Sequence, residues 1–170
     1  GFVWVRQSFD WEKNNWKDDD ALIAAAQDRD LKMVAVLTGG SPPDPAAFAA
    51  FAADFAARYR DQIDAYQIWD EPNLESGWSG PPSAAEYARL LQTAYAAIHN
   101  ADPTATVLLA GLAPTIEAGP KNIADFLYLR QLYNLGAEPY FDAVAGKPYG
   151  FNTHPDDRTV DPNVLNFSRL

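Results

Sequence analysis

Two adjacent carboxylates, Asp70 and Glu71, stand at the end of the apolar run Ala65-Tyr66-Gln67-Ile68-Trp69. The run has the composition of a buried strand, and Pro72 ends it because proline has no N–H to give a sheet ladder. Glu71 is thereby placed at the rim of a sheet, on a rigid element, facing a loop. A carboxyl group in such a place can be partly desolvated and used as an acid or a base. An acidic pair at a strand end is also an ordinary solvated turn, so the neighbours decide between the two readings.

Those neighbours must be positioned by a regular scaffold, and the chain reads as alternating strand and helix throughout. Strands are expected over residues 2–8, 31–37, 63–69, 106–110 and 141–145. Helices are expected over 18–30, 45–62, 83–100 and 123–135. Three aspartates, Asp18, Asp19 and Asp20, suit the positive end of the first helix. Pro45 opens the second, with Phe48, Phe51, Phe55 and Tyr59 at helical spacing as core. Ser83 and Glu86 form a capping box for the third. Asn122 caps the fourth and Gly136 stops it. Pro162 is expected to open a last helix. Five strands with short helical connections imply right-handed βαβ units and a parallel sheet in one domain over 1–170. No Gly-rich dinucleotide fingerprint follows the first strand and no phosphate loop is present, which disfavours a doubly wound nucleotide-binding fold. The fold class expected is α/β, a partial (β/α)8 TIM barrel, since a whole one needs eight units and roughly 250 residues.

Composition narrows the function. Apolar residues make up 48% of 170, enough for a packed core, and no apolar run approaches a membrane span. Thirteen Lys plus Arg stand against 23 Asp plus Glu, and a formal charge of −10 argues against nucleic acid. With no cysteine, disulfides and thiolate metal sites are excluded, and two histidines in no metal spacing make no familiar zinc site. The chain opens Gly-Phe-Val-Trp, with no initiator Met and no signal peptide, as an internal piece of a longer protein would. The compartment stays open, with an extracellular or cell-surface setting favoured.

The segment Trp69-Asp70-Glu71-Pro72-Asn73 resembles the Trp-Asn-Glu-Pro-Asn segment after the fourth strand of clan A glycoside hydrolases, a retaining group that includes cellulases and xylosidases. Trp4-Val5-Arg6 is similar to the second strand, residues 31–37 to the third, 107–114 to the fifth. Residues 141–150, ending Lys147-Pro148-Tyr149-Gly150, resemble the sixth, which in the family ends His-Pro-Tyr-Gly. The likeness is nearest to the family 39-like branch. It implies that Glu71 is the acid/base in retaining hydrolysis of O-glycosidic bonds, that Asp70 holds a sugar hydroxyl, and that Arg6 and Tyr149 sit beside the nucleophile. The family's nucleophile ends a seventh strand, which lies beyond this chain. No cofactor and no metal are implied, and the partner is a carbohydrate substrate.

Two departures bear on that reading. Asp70 stands where the family has asparagine, and Lys147 where it has histidine. One gained negative and one gained positive charge at the same mouth predict an Asp70–Lys147 ion pair. Trp11 and Trp78, on loops at the C-terminal side of strands, can stack on sugar rings or plug the loops against the core. His154 reads as surface, and Asn166-Phe167-Ser168 is a chance-frequency glycosylation sequon. A carbohydrate-binding pseudoenzyme and a cell-surface structural domain remain as rival functions. A five-strand piece also leaves two open sheet edges, through which the chain could self-associate.

Overall fold

The computed structural model describes residues 1–161 and 163–167. Five parallel strands lie in chain order in one sheet: β1 (Trp4–Asp10), β2 (Lys32–Thr38), β3 (Ala65–Asp70), β4 (Val107–Gly111) and β5 (Ala143–Val144). The connections carry α1 (Trp16–Gln27), α2 (Pro45–Arg58), α3 (Glu75–Trp78), α4 (Ala84–Ala101) and α5 (Asp125–Asn134), with a 3₁₀ turn at Glu138–Tyr140. This is the alternating α/β order expected of a partial barrel. No helix among the described residues is long and apolar enough to cross a membrane.

Local chemistry accounts for the helix ends. Asp44 accepts from Ala46 N and Ala47 N at 3.1 and 3.0 Å, with Pro45 at the first helical position of α2. The start of α1 is two residues earlier than expected, because Asn15 rather than an aspartate is the cap and accepts from Lys17 N. Asp18 and Asp19 still lie in its first turn, near the positive end of the helix. At α4, Ser83 Oγ accepts from Glu86 N at 3.3 Å, but the Glu86 carboxylate turns to the Trp78 indole instead of returning to the cap. Asn122 does not cap α5; it accepts from Glu75 N and donates to Glu117. Gly136, at φ +74°, ends α5 as expected. Pro162 lies outside the described residues, and 163–167 form turn and coil.

The core fills the space between the sheet and the helix layer. Phe48 and Phe55 of α2, Tyr66 and Trp69 of β3 and Tyr87 of α4 are all fully buried there. Their rings form a contiguous seam: Phe55 with Tyr66, Phe48 with Trp69, Trp69 with Trp78, Trp78 with Tyr87. Each such side chain contributes about 1.5–3 kcal/mol by leaving water.

At the other end of the strands one device is used twice. Asp64, just before β3, exchanges a reciprocal pair of bonds with Met33 of β2: its N–H donates to Met33 O and its carboxylate accepts from Met33 N at 2.8 Å. Asp142, just before β5, does the same with Val107 of β4, accepting at 2.7 Å. Each aspartate thus satisfies an amide that the sheet leaves open and sets the level at which its strand enters. Asp64→Ala should leave the Met33 amide buried and unpaired, lowering unfolding free energy by about 1–3 kcal/mol. Asp64→Asn, which keeps an acceptor oxygen, should cost less. Urea denaturation curves of the two variants test this, and equal midpoints would contradict it.

Candidate functional site

At the C-terminal mouth of the sheet, four charged side chains meet. Lys147 Nζ lies 2.6 Å from Glu71 Oε1 and 3.0 Å from Asp70 Oδ1. Arg6 Nη2 lies 2.8 Å from the same Asp70 oxygen. The expected Asp70–Lys147 pair is therefore present, and Lys147 also reaches Glu71. Two cations and two carboxylates leave the group formally neutral. Lys147 is the most enclosed of the four, with 13% of its side chain exposed, against 29% and 31% for Asp70 and Glu71.

Each member is delivered by a different element. Asp70 is the last residue of β3, and Lys147 follows β5. Arg6 is not at a strand end: β1 continues to Asp10, and Arg6 pairs with Val34, so its guanidinium reaches up from mid-strand. Its Nε also approaches Gln67 Oε1 at 3.3 Å. Gln67 is 1% exposed and holds the end of β3 from below, donating to Trp69 O at 2.7 Å and to Asp70 at 3.3 Å. Gly111, the last residue of β4, leaves the space that Lys147 fills: a Cβ there would sit 2.9 Å from Lys147 Cε.

The backbone around the carboxylates is strained. Trp69 and Glu71 have φ of +67° and +50°, a region that side chains other than Asn and Asp rarely adopt. Neighbours hold both. Glu71 N donates to Gly111 O at 3.1 Å, and Leu74 N donates to Glu71 O at 3.1 Å. The Trp69 indole donates to Gly77 O at 2.8 Å, and any side chain at Gly77 would collide with the Glu71 carbonyl. Asn73, fully buried, binds Ala113 through both its amide atoms and also donates to Ile123 O, tying this loop to the one after β4. Tyr87 inserts its hydroxyl between β3 and β4, donating to Ile68 O and accepting from Ala110 N. Burial pushes this phenol well above the usual tyrosine range, so it stays neutral and can do both.

Three of the residues expected at the site lie apart from the charge group. Trp78 is 3% exposed, packed between Trp69 and Tyr87 with its indole on Glu86, and is a core plug rather than an open sugar platform. Trp11 is partly exposed and packs its ring on Gly39, edge-on to Phe48. Tyr149 is 53% exposed beside Phe151; its backbone N–H donates to Lys147 O at 2.8 Å, but among the described residues its hydroxyl makes no hydrogen bond to the four charged side chains. Gln67, Gly77, Tyr87 and Gly111 enter from structure alone; only Gln67, a polar residue inside an apolar strand, carries a sequence signal. Among the described residues, no group of three or more His, Asp or Glu is arranged to hold a metal ion.

Beneath the charges is a cavity of about 180 Å³ lined by Arg6, Val34, Gln67, Leu108, Gly111 and Lys147. That is below the roughly 300–1,000 Å³ of most ligand sites. The sheet's outer edges, at β1 and β5, have no neighbouring strand among the described residues, so the wall around this cavity is incomplete.

The chain superposes on a family 39 glycoside hydrolase from the gut symbiont Bacteroides cellulosilyticus WH2 with a TM-score of 0.69 and 17% identity, over 92% of this chain and 34% of that one. The five-stranded parallel sheet with its helices thus matches part of a TIM barrel, as found in glycoside hydrolases. A glucosidase from Croceicoccus marinus matches with a TM-score of 0.68 and 14% identity, over 87% of this chain and 38% of that one. A further glycoside hydrolase matches at 0.52 and 19% identity, covering 80% of this chain and 47% of that one. The barrel segment spans little more than a third of the length of the first two. No protein-family model and no curated protein matches the sequence.

Removing the central cation tests how the segment's charge group is held. Lys147→Met should leave Asp70 and Glu71 facing each other and lower stability by about 1–2 kcal/mol, less than for a wholly buried pair. The loss should shrink in 1 M salt, where the Debye length falls to about 3 Å. An unchanged urea midpoint at low salt would show that the ion pairs contribute nothing.

Proposed function

We propose that the chain is the acid/base half of a retaining glycoside hydrolase site, with Glu71 as the group that protonates the leaving oxygen and later deprotonates water. The observation that carries this reading is the place of Glu71: the first residue after β3, at the C-terminal mouth, where barrel enzymes build their sites. The glycoside hydrolase fold of the segment supports it, and so does the resemblance around Glu71. Asp70 would hold a sugar hydroxyl, and Arg6 and Lys147 would set the field. Tyr149 would serve from the loop after β5, and partly exposed Trp11 at the rim.

Retaining hydrolysis needs a second carboxylate about 5–5.5 Å away. Glu86 sits against the Trp78 indole, Glu117 receives Asn122, and Glu138 begins the 3₁₀ turn, so none of them faces Glu71 as a partner. The nucleophile would come from a strand outside these five.

A second reading has its own observation. The 2.6 Å contact from Lys147 occupies Glu71 Oε1, and that oxygen cannot protonate a leaving group while it accepts from the ammonium. A carbohydrate-binding protein without turnover would tolerate that contact permanently; an enzyme would work through the other oxygen, Oε2, or release the contact when substrate enters.

Turnover separates the two. In the full-length protein, Glu71→Gln should lower hydrolysis of glycosides with poor leaving groups by about 10²–10⁴-fold. It should affect activated aryl glycosides less, because their leaving oxygen needs little protonation. Equal rates for Glu71→Gln and the unmodified protein would defeat the acid/base assignment, while sugar binding without any turnover would establish the second reading.

The open edges give a further expectation. Phe2, Val3 and Trp4 are exposed at the β1 side, Val144 and Phe151 at the β5 side. Unpaired strand edges with apolar flanks invite another chain. The isolated 170-residue chain should therefore sediment as a concentration-dependent oligomer; a monodisperse, cooperatively melting monomer would contradict this.

A further inference from the structure

The chain changes face twice at one level. In β3, Gln67 and Asp70 both bond the lumen-side Arg6, while Tyr66 and Trp69 both pack their rings on α2. In a pleated strand, residues three apart point to opposite faces, so the alternation breaks between them. In β4, Leu108 and Gly111 line the same cavity, and their spacing shows the same break. No residue is inserted in either strand: Tyr66 pairs with Val107 and Asp70 with Gly111 at one constant offset. This is not a bulge of the usual two-against-one kind.

The hydrogen-bond phase locates the break. Tyr66 N donates to Thr106 O at 2.8 Å. Continued regularly through Leu108 and Ile68, a parallel ladder in this phase would then join Ala110 N directly to Ile68 O. Those two groups are instead the partners of Tyr87, whose hydroxyl accepts from Ala110 N at 2.8 Å and donates to Ile68 O at 2.9 Å. Beyond it the ladder resumes in the other phase, with Glu71 N on Gly111 O. Trp69, at φ +67°, lies between the two phases.

We propose that Tyr87 is a positioning residue: its hydroxyl, wedged into the β3–β4 ladder, holds the face change that delivers Asp70 to Arg6 and Lys147. The proposal rests on Asp70 and Glu71 being the functional end of β3. Without the hydroxyl, the amide and carbonyl can close on each other and restore the regular alternation. Asp70 then turns away from the lumen, Gly111 no longer lies under Lys147, and the ammonium loses its enclosure.

Lysine reactivity in the full-length protein reports this without any sugar substrate. Tyr128 provides a matched control: it is fully buried beside Tyr87, and its hydroxyl has no hydrogen-bond partner among the described residues. Limited acetylation followed by mass spectrometry compares Lys147 with exposed Lys13 and Lys17. In Tyr87→Phe, Lys147 should react about tenfold faster, the effect of ~1.4 kcal/mol of lost protection, while Lys13 and Lys17 keep their rates. Tyr128→Phe should leave Lys147 slow. A Tyr87→Phe protein that melts earlier but keeps Lys147 slow overturns the proposal, as does an equal acceleration of every lysine. If Tyr87→Phe does not fold in buffer, the measurement is repeated in trimethylamine N-oxide, which favours the compact state. A chain still unfolded there makes Tyr87 a stability residue and also overturns the proposal. The acid/base reading fails separately, in the turnover of Glu71→Gln.

Discussion

The burial of Trp69 is the constraint on which the candidate site depends. An indole at the end of a strand can face the lumen or the helix layer, and regular alternation would give it the lumen. Here it lies on the helix side, fully buried against Phe48 and Trp78. Its left-handed backbone costs about 1–3 kcal/mol. Burial of a large aromatic side chain returns about as much or more, and the bond from its indole to Gly77 O adds to it. The strain is thus offset locally. Together with the Tyr87 hydroxyl in the adjoining ladder, this arrangement goes with Asp70 on the lumen side and Glu71 at the mouth.

Once the carboxylates are placed, electrostatics decides what can accompany them. The chain as a whole carries a formal charge of −10, yet the mouth is balanced. Two carboxylates this close, and more than two-thirds enclosed, would repel without a cation between them. Lys147 supplies it, and the missing side chain at Gly111 is what lets the ammonium in. Arg6 supports Asp70 from the opposite side, and its two contacts, on Asp70 and Gln67, use the fixed fork of a guanidinium as a lysine could not.

The alternation of strands and helices was legible because the apolar runs are long and the turns carry their usual residues: Pro45 opens α2 and Gly136 closes α5. The carboxylates at the end of β3 and the cation after β5 were legible too, because strand ends are marked by Pro72 and Pro148. What was hidden depends on contacts distant in sequence. The four-residue α3 has neither length nor period, and Trp78 within it looks like any loop tryptophan. Arg6 reads as a strand-end residue because the apolar pattern stops before Phe9, although pairing with β2 carries β1 on to Asp10. Tyr87 lies on the buried stripe of α4 and reads as core; nothing in its neighbours shows that its hydroxyl enters the sheet.

The two departures from the resembled segment gain meaning from this geometry. Asparagine at 70 with histidine at 147 would make a neutral mouth from polar groups, whereas Asp70 with Lys147 makes a neutral mouth from charged ones. Either change alone would leave an uncompensated charge in a partly enclosed place, which costs more than the pair can return. The two positions therefore act as a unit, and their effects will not add. Glu71 is drawn into that unit because Lys147, placed to serve Asp70, has three donors and a second carboxylate within reach. The side chain that stabilises Asp70 thus also occupies an oxygen of Glu71, so whatever alters the Asp70 contact alters the surroundings of the adjacent glutamate.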